Sequence, residues 1–285
     1  LFVLDDGWFG DRNDDRAGLG DWDVNPKKLP DGLGGLASKV RDLGLDFGLW
    51  VEPEMVNPDS KLYREHPDWA IQLPGREPSL GRHQLVLDLT RPEIRDHIVA
   101  ELSTVLDSAP ISYVKWDSNR TFSDLYSTAC PAGELPHRYV LGLYDVLRRV
   151  FGPRPQILLE SCASGGNRFD LGMLCFSPQV WASDCTDPIE RLAIQLGLSY
   201  LYPPSTIGAH VTASPSEQTL RATPLSTRFN VAAIGVLGYE LDPRSLTPSE
   251  RREVRAQIAF YKAHRATCQY GRLRRADPVR PGQLT

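Results

Sequence analysis

Tyr113-Val114-Lys115-Trp116-Asp117-Ser118-Asn119-Arg120 is the stretch on which the reading of this chain turns. The apolar run from Ile111 to Val114 reads as a buried strand, and it ends in a lysine, a tryptophan and a carboxylate. Side chains alternate across a strand, so Lys115 and Asp117 project to the same side. A cation beside a carboxylate favours its ionised form. An ionised, oriented carboxylate is what a nucleophile needs. The same arrangement, an apolar strand followed by polar residues, recurs along the chain.

Working outward, strands are predicted at Leu1 to Leu4, Phe47 to Val51, Leu85 to Leu89, Ile111 to Trp116, Gln156 to Glu160, Gln179 to Ala182 and, most weakly marked, Tyr202 to Ala209. Between them lie helical periods. Leu33, Leu36, Val40 and Leu43 share a face, as do Ile94, Ile98, Leu102 and Val105. Tyr139, Leu143, Leu147 and Val150 repeat the spacing, and so do Ile189, Leu192, Leu196 and Tyr200. A further helix is predicted from Ser249 to His264. Pro92 and Pro248 stand where a helix begins.

Alternating strand and helix implies a parallel sheet. An open sheet built for a dinucleotide carries a glycine-rich turn after its first strand. Here Leu4 is followed by Asp5-Asp6-Gly7-Trp8, and Gly32-Leu33-Gly34-Gly35 reads as a helix start. Carboxylates after nearly every strand fit a (β/α)₈ TIM barrel, whose site gathers at the C-terminal strand ends. Seven strands are counted, so the barrel's first strand and helix are expected before Leu1. The barrel is expected over residues 1–272, with a linker or tail over 273–285.

Composition narrows the function. The 285 residues are 41% hydrophobic and 24% charged, an ordinary globular balance. A net charge of −4 argues against a nucleic-acid partner. No apolar run is long enough to span a bilayer. Five cysteines are too few and too irregularly spaced for a disulfide scaffold or a zinc site, and their odd number leaves at least one unpaired within the chain; a reducing compartment, the cytoplasm, is expected. No His/Cys cluster has metal spacing, so neither metal nor cofactor is expected. The six histidines are read as surface or structural.

Each strand end has a bland reading beside a functional one. Asp5 and Asp6 suit a turn or a cap, or a grip on neighbouring sugar hydroxyls. Trp50 suits the core, or a flat face for a pyranose ring. Glu52 and Glu54 are read as partners of arginines. Arg82 is either a surface arginine or a donor aimed into the barrel mouth. Lys115, Asp117, Asn119 and Arg120 favour function. Cys162 suits packing, while Gly165 and Gly166 let backbone approach a ligand. Asp184 or Asp187 can serve as a general acid. Asp187, before Pro188, is well placed as a helix N-cap, which leaves Asp184 as the better candidate. Two carboxylates on separate strand ends, with a tryptophan and hydroxyl-binding groups, describe a glycoside hydrolase.

These motifs resemble the catalytic barrel of glycoside hydrolase family 36, the retaining α-galactosidases. The matching stretches are Leu4 to Gly10, Gly48 to Val56, Arg82 to Leu89, Lys115 to Arg120, Glu160 to Asp170 and Trp181 to Asp187, in family order. The resemblance implies that Asp117 is the nucleophile and Asp184 the acid/base. It implies that Asp5 and Asp6 hold the galactose 4- and 6-hydroxyls, and that Trp50, Arg82 and Lys115 contact sugar. Cys162 and Gly165 match the loop beside the 2-hydroxyl, and Asn119 is taken with them as substrate-binding. The implied substrate is an α-galactoside oligosaccharide. The resemblance also implies β-sandwiches flanking the barrel and homo-oligomers of the full-length protein. A related transferase or α-N-acetylgalactosaminidase is the runner-up, and a non-catalytic sugar-binding barrel is the more distant alternative.

Overall fold

The computed structural model describes residues 1–274. The chain forms two compact units, Leu1–Ser164 and the part from Gly165 onward. Each is α/β, with parallel strands linked through helices in the manner of a partial (β/α)₈ barrel.

In the first unit the order is β1 (Phe2–Leu4), α1 (Gly32–Asp42), β2 (Phe47–Val51), β3 (Met55–Val56), α2 (Lys61–Glu65), β4 (Leu85–Val86), α3 (Pro92–Asp107), β5 (Ile111–Trp116), α4 (Leu135–Phe151) and β6 (Leu158–Ser161). Strands β1, β2, β5 and β6 lie side by side and parallel. Every residue of β2 is buried, as expected of a strand covered on both faces. Gly48 is required within it. A Cβ there would come within 2.9 Å of the Tyr113 Cβ on β5. Helix α3 buries Ile94, Ile98, Leu102 and Val105, the predicted stripe, and α4 buries Tyr139, Leu143, Leu147 and Val150. Each such side chain contributes about 1.5–3 kcal/mol when fully buried. Arg149 on α4 joins the two helices through Asp96 at 2.7 Å.

The second unit runs α5 (Leu171–Leu174), β7 (Gln179–Trp181), α6 (Pro188–Leu198), β8 (Ile207–Thr212), α7 (Leu225–Ala232), β9 (Val236–Glu240) and α8 (Pro248–Tyr270). Strands β7, β8 and β9 are parallel neighbours. Helix α8 opens on a capping box, with Thr247 and Glu250 exchanging side-chain to backbone hydrogen bonds.

Two strand expectations change. The apolar run Leu85 to Leu89 is buried, but only Leu85–Val86 is strand, and it pairs antiparallel with Met55–Val56. The run is cut short because Asp88 turns back to accept from the Thr90 backbone N–H at 3.0 Å. In its place, Val236–Glu240 joins the parallel sheet beside β8. Strand β8 itself begins at Ile207, after a 3₁₀ turn over Pro204–Thr206. The expected tail lies, from residue 275 on, outside the described residues. Among the described residues no helix is long and apolar enough to cross a membrane.

Candidate active site

The register of the first unit places the predicted residues in layers. Trp50 on β2 is level with Lys115 on β5, and Lys115 is level with Glu160 on β6. Level neighbours share a face, so these three project together, with Tyr113 and Asp117 on the same side two residues to either end. Beyond Trp116 the ladder continues, since the Asp117 N–H donates to the Val51 carbonyl at 2.8 Å and the Cys162 N–H to the Trp116 carbonyl at 2.8 Å. Asp117 therefore sits at a C-terminal strand end, held by both neighbouring strands.

Asp117 is 7% exposed, and its carboxylate accepts three hydrogen bonds. Asn119 Nδ2 donates to Oδ2 at 2.7 Å, Trp50 Nε1 donates to the same oxygen at 3.2 Å, and the Ser118 N–H donates to Oδ1 at 2.8 Å. Asn119 is itself aimed by the Ser164 hydroxyl, which donates to Oδ1 at 3.1 Å. Such a carboxylate has little rotational freedom, as a preorganised nucleophile requires.

Trp50 differs from the expectation of an open platform. It is 3% exposed, and its ring lies parallel to Phe9 at 6.3 Å and near Trp22 at 6.5 Å. What it offers the site is the indole edge that holds Asp117.

Lys115 makes its ion pair with Asp5, at 3.4 Å. Burial works against its charge, but Asp5 and Glu160, followed by Cys162 and Asp117, more than offset this, and its pKa is raised. The lysine on β5 therefore ties down Asp5, just beyond β1, and Asp117 is the smallest of the named influences on it. Asp6 is gripped by Arg12, a residue the sequence reading passed over. The Arg12 Nε and Nη2 atoms donate to both carboxylate oxygens at 2.8–3.1 Å. Arg12 is 2% exposed, so the pair fixes Asp6 from below and leaves Asp5 the more open of the two. No local pattern marks Arg12, because its role depends on a loop closing back over the strand end.

Arg82 is exposed at the tip of a two-residue turn closed by Gly81 and Gln84. Arg82 and His83 both have positive φ, 52° and 59°. Non-glycine residues adopt that region at a cost of about 1–2 kcal/mol each, and such strain gathers at functional sites. The two glutamates also find partners other than those expected. Glu54 accepts from Trp116 Nε1 and from the Tyr139 hydroxyl, each at 2.7 Å. Glu52 accepts from the Asn119 N–H at 2.5 Å and from Gln84 Nε2 at 3.3 Å. Burial, then the nearby Asp117, pushes the Glu52 pKa up to about 8.

In the second unit Asp184 is exposed, and its Oδ1 accepts from Trp181 Nε1 at 3.0 Å. Arg191, one turn into α6, braces the same loop. It donates to the carbonyls of Ser183 at 2.7 Å, Cys185 at 2.9 Å and Gly208 at 3.0 Å, and lies 4.5 Å above the Trp181 ring. His210 packs on Trp181 at 4.5 Å and bonds Glu240 at 2.9 Å. Asp187 accepts from the Ile189 N–H at 2.8 Å as the N-cap of α6, and pairs with Arg221 at 2.8 Å. Its carboxylate is thus committed to structure, while that of Asp184 faces solvent. Gly165 has φ 85°, and a Cβ there would come within 2.9 Å of the Ser183 Cα and 3.1 Å of the Asp184 N. Only glycine lets this turn lie against the backbone that carries Asp184.

A family model described as Melibiase matches residues 1–271. Alpha-galactosidase AgaA of Geobacillus stearothermophilus is 54% identical over 274 residues, which are 95% of this chain and 38% of AgaA. Alpha-galactosidase 1 of Pediococcus pentosaceus is 51% identical over 287 residues, 99% of this chain and 39% of the relative. The crystal structure of AgaA, described as a glycoside hydrolase family 36 α-galactosidase, matches with a TM-score of 0.92 over 94% of this chain and 38% of that one. Substituted forms of AgaA have been crystallised in complex with raffinose and with stachyose. The chain thus spans 38–39% of the length of the two curated relatives.

Proposed function

Since this chain belongs to the melibiase family, with glycoside hydrolase family 36 α-galactosidases among its relatives, we propose that it carries the catalytic carboxylates of a retaining α-galactosidase. The observation that carries the reading is Asp117: a buried carboxylate at a parallel strand end, fixed by three donors. Its oxygen attacks the anomeric carbon of a terminal α-galactosyl unit. Asp184, exposed and oriented by Trp181, protonates the departing oxygen. A covalent β-galactosyl-enzyme forms. Asp184, now a base, takes a proton from water, and galactose leaves with its configuration retained.

The remaining residues bind and orient. Asp5 and Asp6 accept from the 4- and 6-hydroxyls, with Asp6 steadied by Arg12 and Asp5 by Lys115. Arg82 and Asn119 offer donors to the sugar, and Cys162 and Gly165 border the 2-hydroxyl. The raffinose and stachyose complexes of AgaA support α-galactosyl oligosaccharides of that type as substrates. The five cysteines of the described residues are all free thiols, which supports a reducing, cytoplasmic setting.

The test follows the first-formed sugar by proton NMR during cleavage of an aryl α-galactoside by the full-length protein. α-Galactose is expected to appear before mutarotation supplies the β anomer. First-formed β-galactose would exclude the retaining route, and no turnover would reject the activity.

A further inference from the structure

Glu52 is fully buried immediately after β2, and it ties together two pieces of the proposed site. One oxygen takes the backbone N–H of Asn119, whose side chain aims at Asp117. The other faces the amide of Gln84, the residue that closes the turn carrying Arg82. Gln84 is also fully buried, and its carbonyl Oε1 has no hydrogen-bond partner. The two ends of a glutamine amide exchange by a simple flip. Turned over, Gln84 presents that unsatisfied acceptor to Glu52, and a carboxylic acid, unlike a carboxylate, has a proton to give it.

We propose that Glu52 is a positioning residue for the nucleophile, acting as a neutral carboxylic acid that accepts from the Asn119 backbone and donates to Gln84. The proposal rests on Asp117 being the nucleophile. The charged groups facing Glu52 are Asp117, from the end of β5, and Arg82, from the 81–84 turn. Burial is the larger cause that keeps the proton on. Asp117 adds to it, while the Asn119 hydrogen bonds and the more weakly acting Arg82 oppose it. A neutral Glu52 hydrogen-bonds both loops without placing a second negative charge beside the nucleophile. Ionised, it would repel Asp117 and could hold Gln84 only through the amide Nε2.

The experiment compares Glu52→Gln and Glu52→Ala in the full-length protein, with kcat for an aryl α-galactoside normalised to active sites. E52Q keeps the shape and neutrality, and its kcat near neutral pH should stay within about threefold of wild type. E52A frees Asn119, and its kcat should fall by about 100-fold, the scale of a misplaced reacting group, with KM within about threefold. Rescue by Gln but not Ala separates positioning from loss of folded protein. A second readout needs no substrate. A buried carboxyl with a raised pKa leaves the folded state holding a proton that the unfolded chain gives up. Wild type should therefore lose melting temperature relative to E52Q as pH rises from about 5 to about 8, and no further above that. E52Q as impaired as E52A, E52A as active as wild type, or a melting difference independent of pH would each overturn the proposal. A wild type with no galactosidase activity would instead strike the functional reading, and the melting comparison would still decide the state of Glu52.

Discussion

Replacing Asp117 by alanine is expected to lower kcat by at least about 10⁴-fold, the scale seen when a nucleophile is deleted from catalytic machinery that acts as a unit. The fold should survive. Asp117 follows its strand, and the backbone hydrogen bond from its N–H to Val51 does not need the side chain. The deletion leaves Trp50 Nε1 and Asn119 Nδ2 without their acceptor and opens a hollow the size of a carboxylate. Azide is small, anionic and nucleophilic, so it should enter and attack the anomeric carbon in place of Asp117. Only one displacement then occurs. With an activated aryl α-galactoside the product should be the β-galactosyl azide, identified by its anomeric proton coupling. Undiminished hydrolysis by the variant would reject the assignment.

Replacing Asp184 by alanine should give a different signature. General acid–base catalysis contributes about 10²–10⁴-fold, and all of it is needed when the leaving group is a sugar hydroxyl. Raffinose cleavage by the variant should fall by that factor. A dinitrophenyl α-galactoside, whose leaving group departs without a proton, should form the galactosyl-enzyme at a near-normal rate and then stall, because no base activates water. Azide needs no base and should release the intermediate as the α-galactosyl azide. Opposite azide anomers from the two variants would assign the two carboxylates their roles. An equal loss on both substrates, with no azide product, would remove Asp184 from the acid/base position.

The residues of this account differ in how openly the sequence displays them. Asp117 is legible because an apolar run stops abruptly at polar residues, and strand alternation puts Lys115 on the same side. Asp187 is legible because Asp-Pro before a helical period is an N-cap pattern, and it is one. Where tertiary contacts decide, the local pattern misleads. Leu85 to Leu89 has the apolarity of a central strand, yet it is buried as half of a small antiparallel pair. Val236–Glu240 does belong to the parallel sheet, but Gly238 interrupts its pattern and its apolar residues are only half buried. Helix α7 is not marked in the sequence, because Leu225-Ser226-Thr227-Arg228-Phe229-Asn230-Val231-Ala232 carries little helical propensity of its own and is held by its packing.

The site shows the same division. The strand-end positions of the proposed carboxylates are legible in the sequence, and the groups that hold them are not. Arg12 reaches Asp6 through a loop closure, Trp50 serves through its edge rather than its face, and Glu52 meets a backbone amide 67 residues away. Each depends on which side chains the fold brings together, and a single sequence does not display that.

The most direct measurement is to inactivate the full-length wild type with an activated 2-deoxy-2-fluorogalactosyl donor, whose fluorine slows the second step, and then to map the label by peptide mass spectrometry. A stable fluorogalactosyl ester on Asp117 is the expected result. A label on another carboxylate, or turnover without any covalent species, would contradict the central claim.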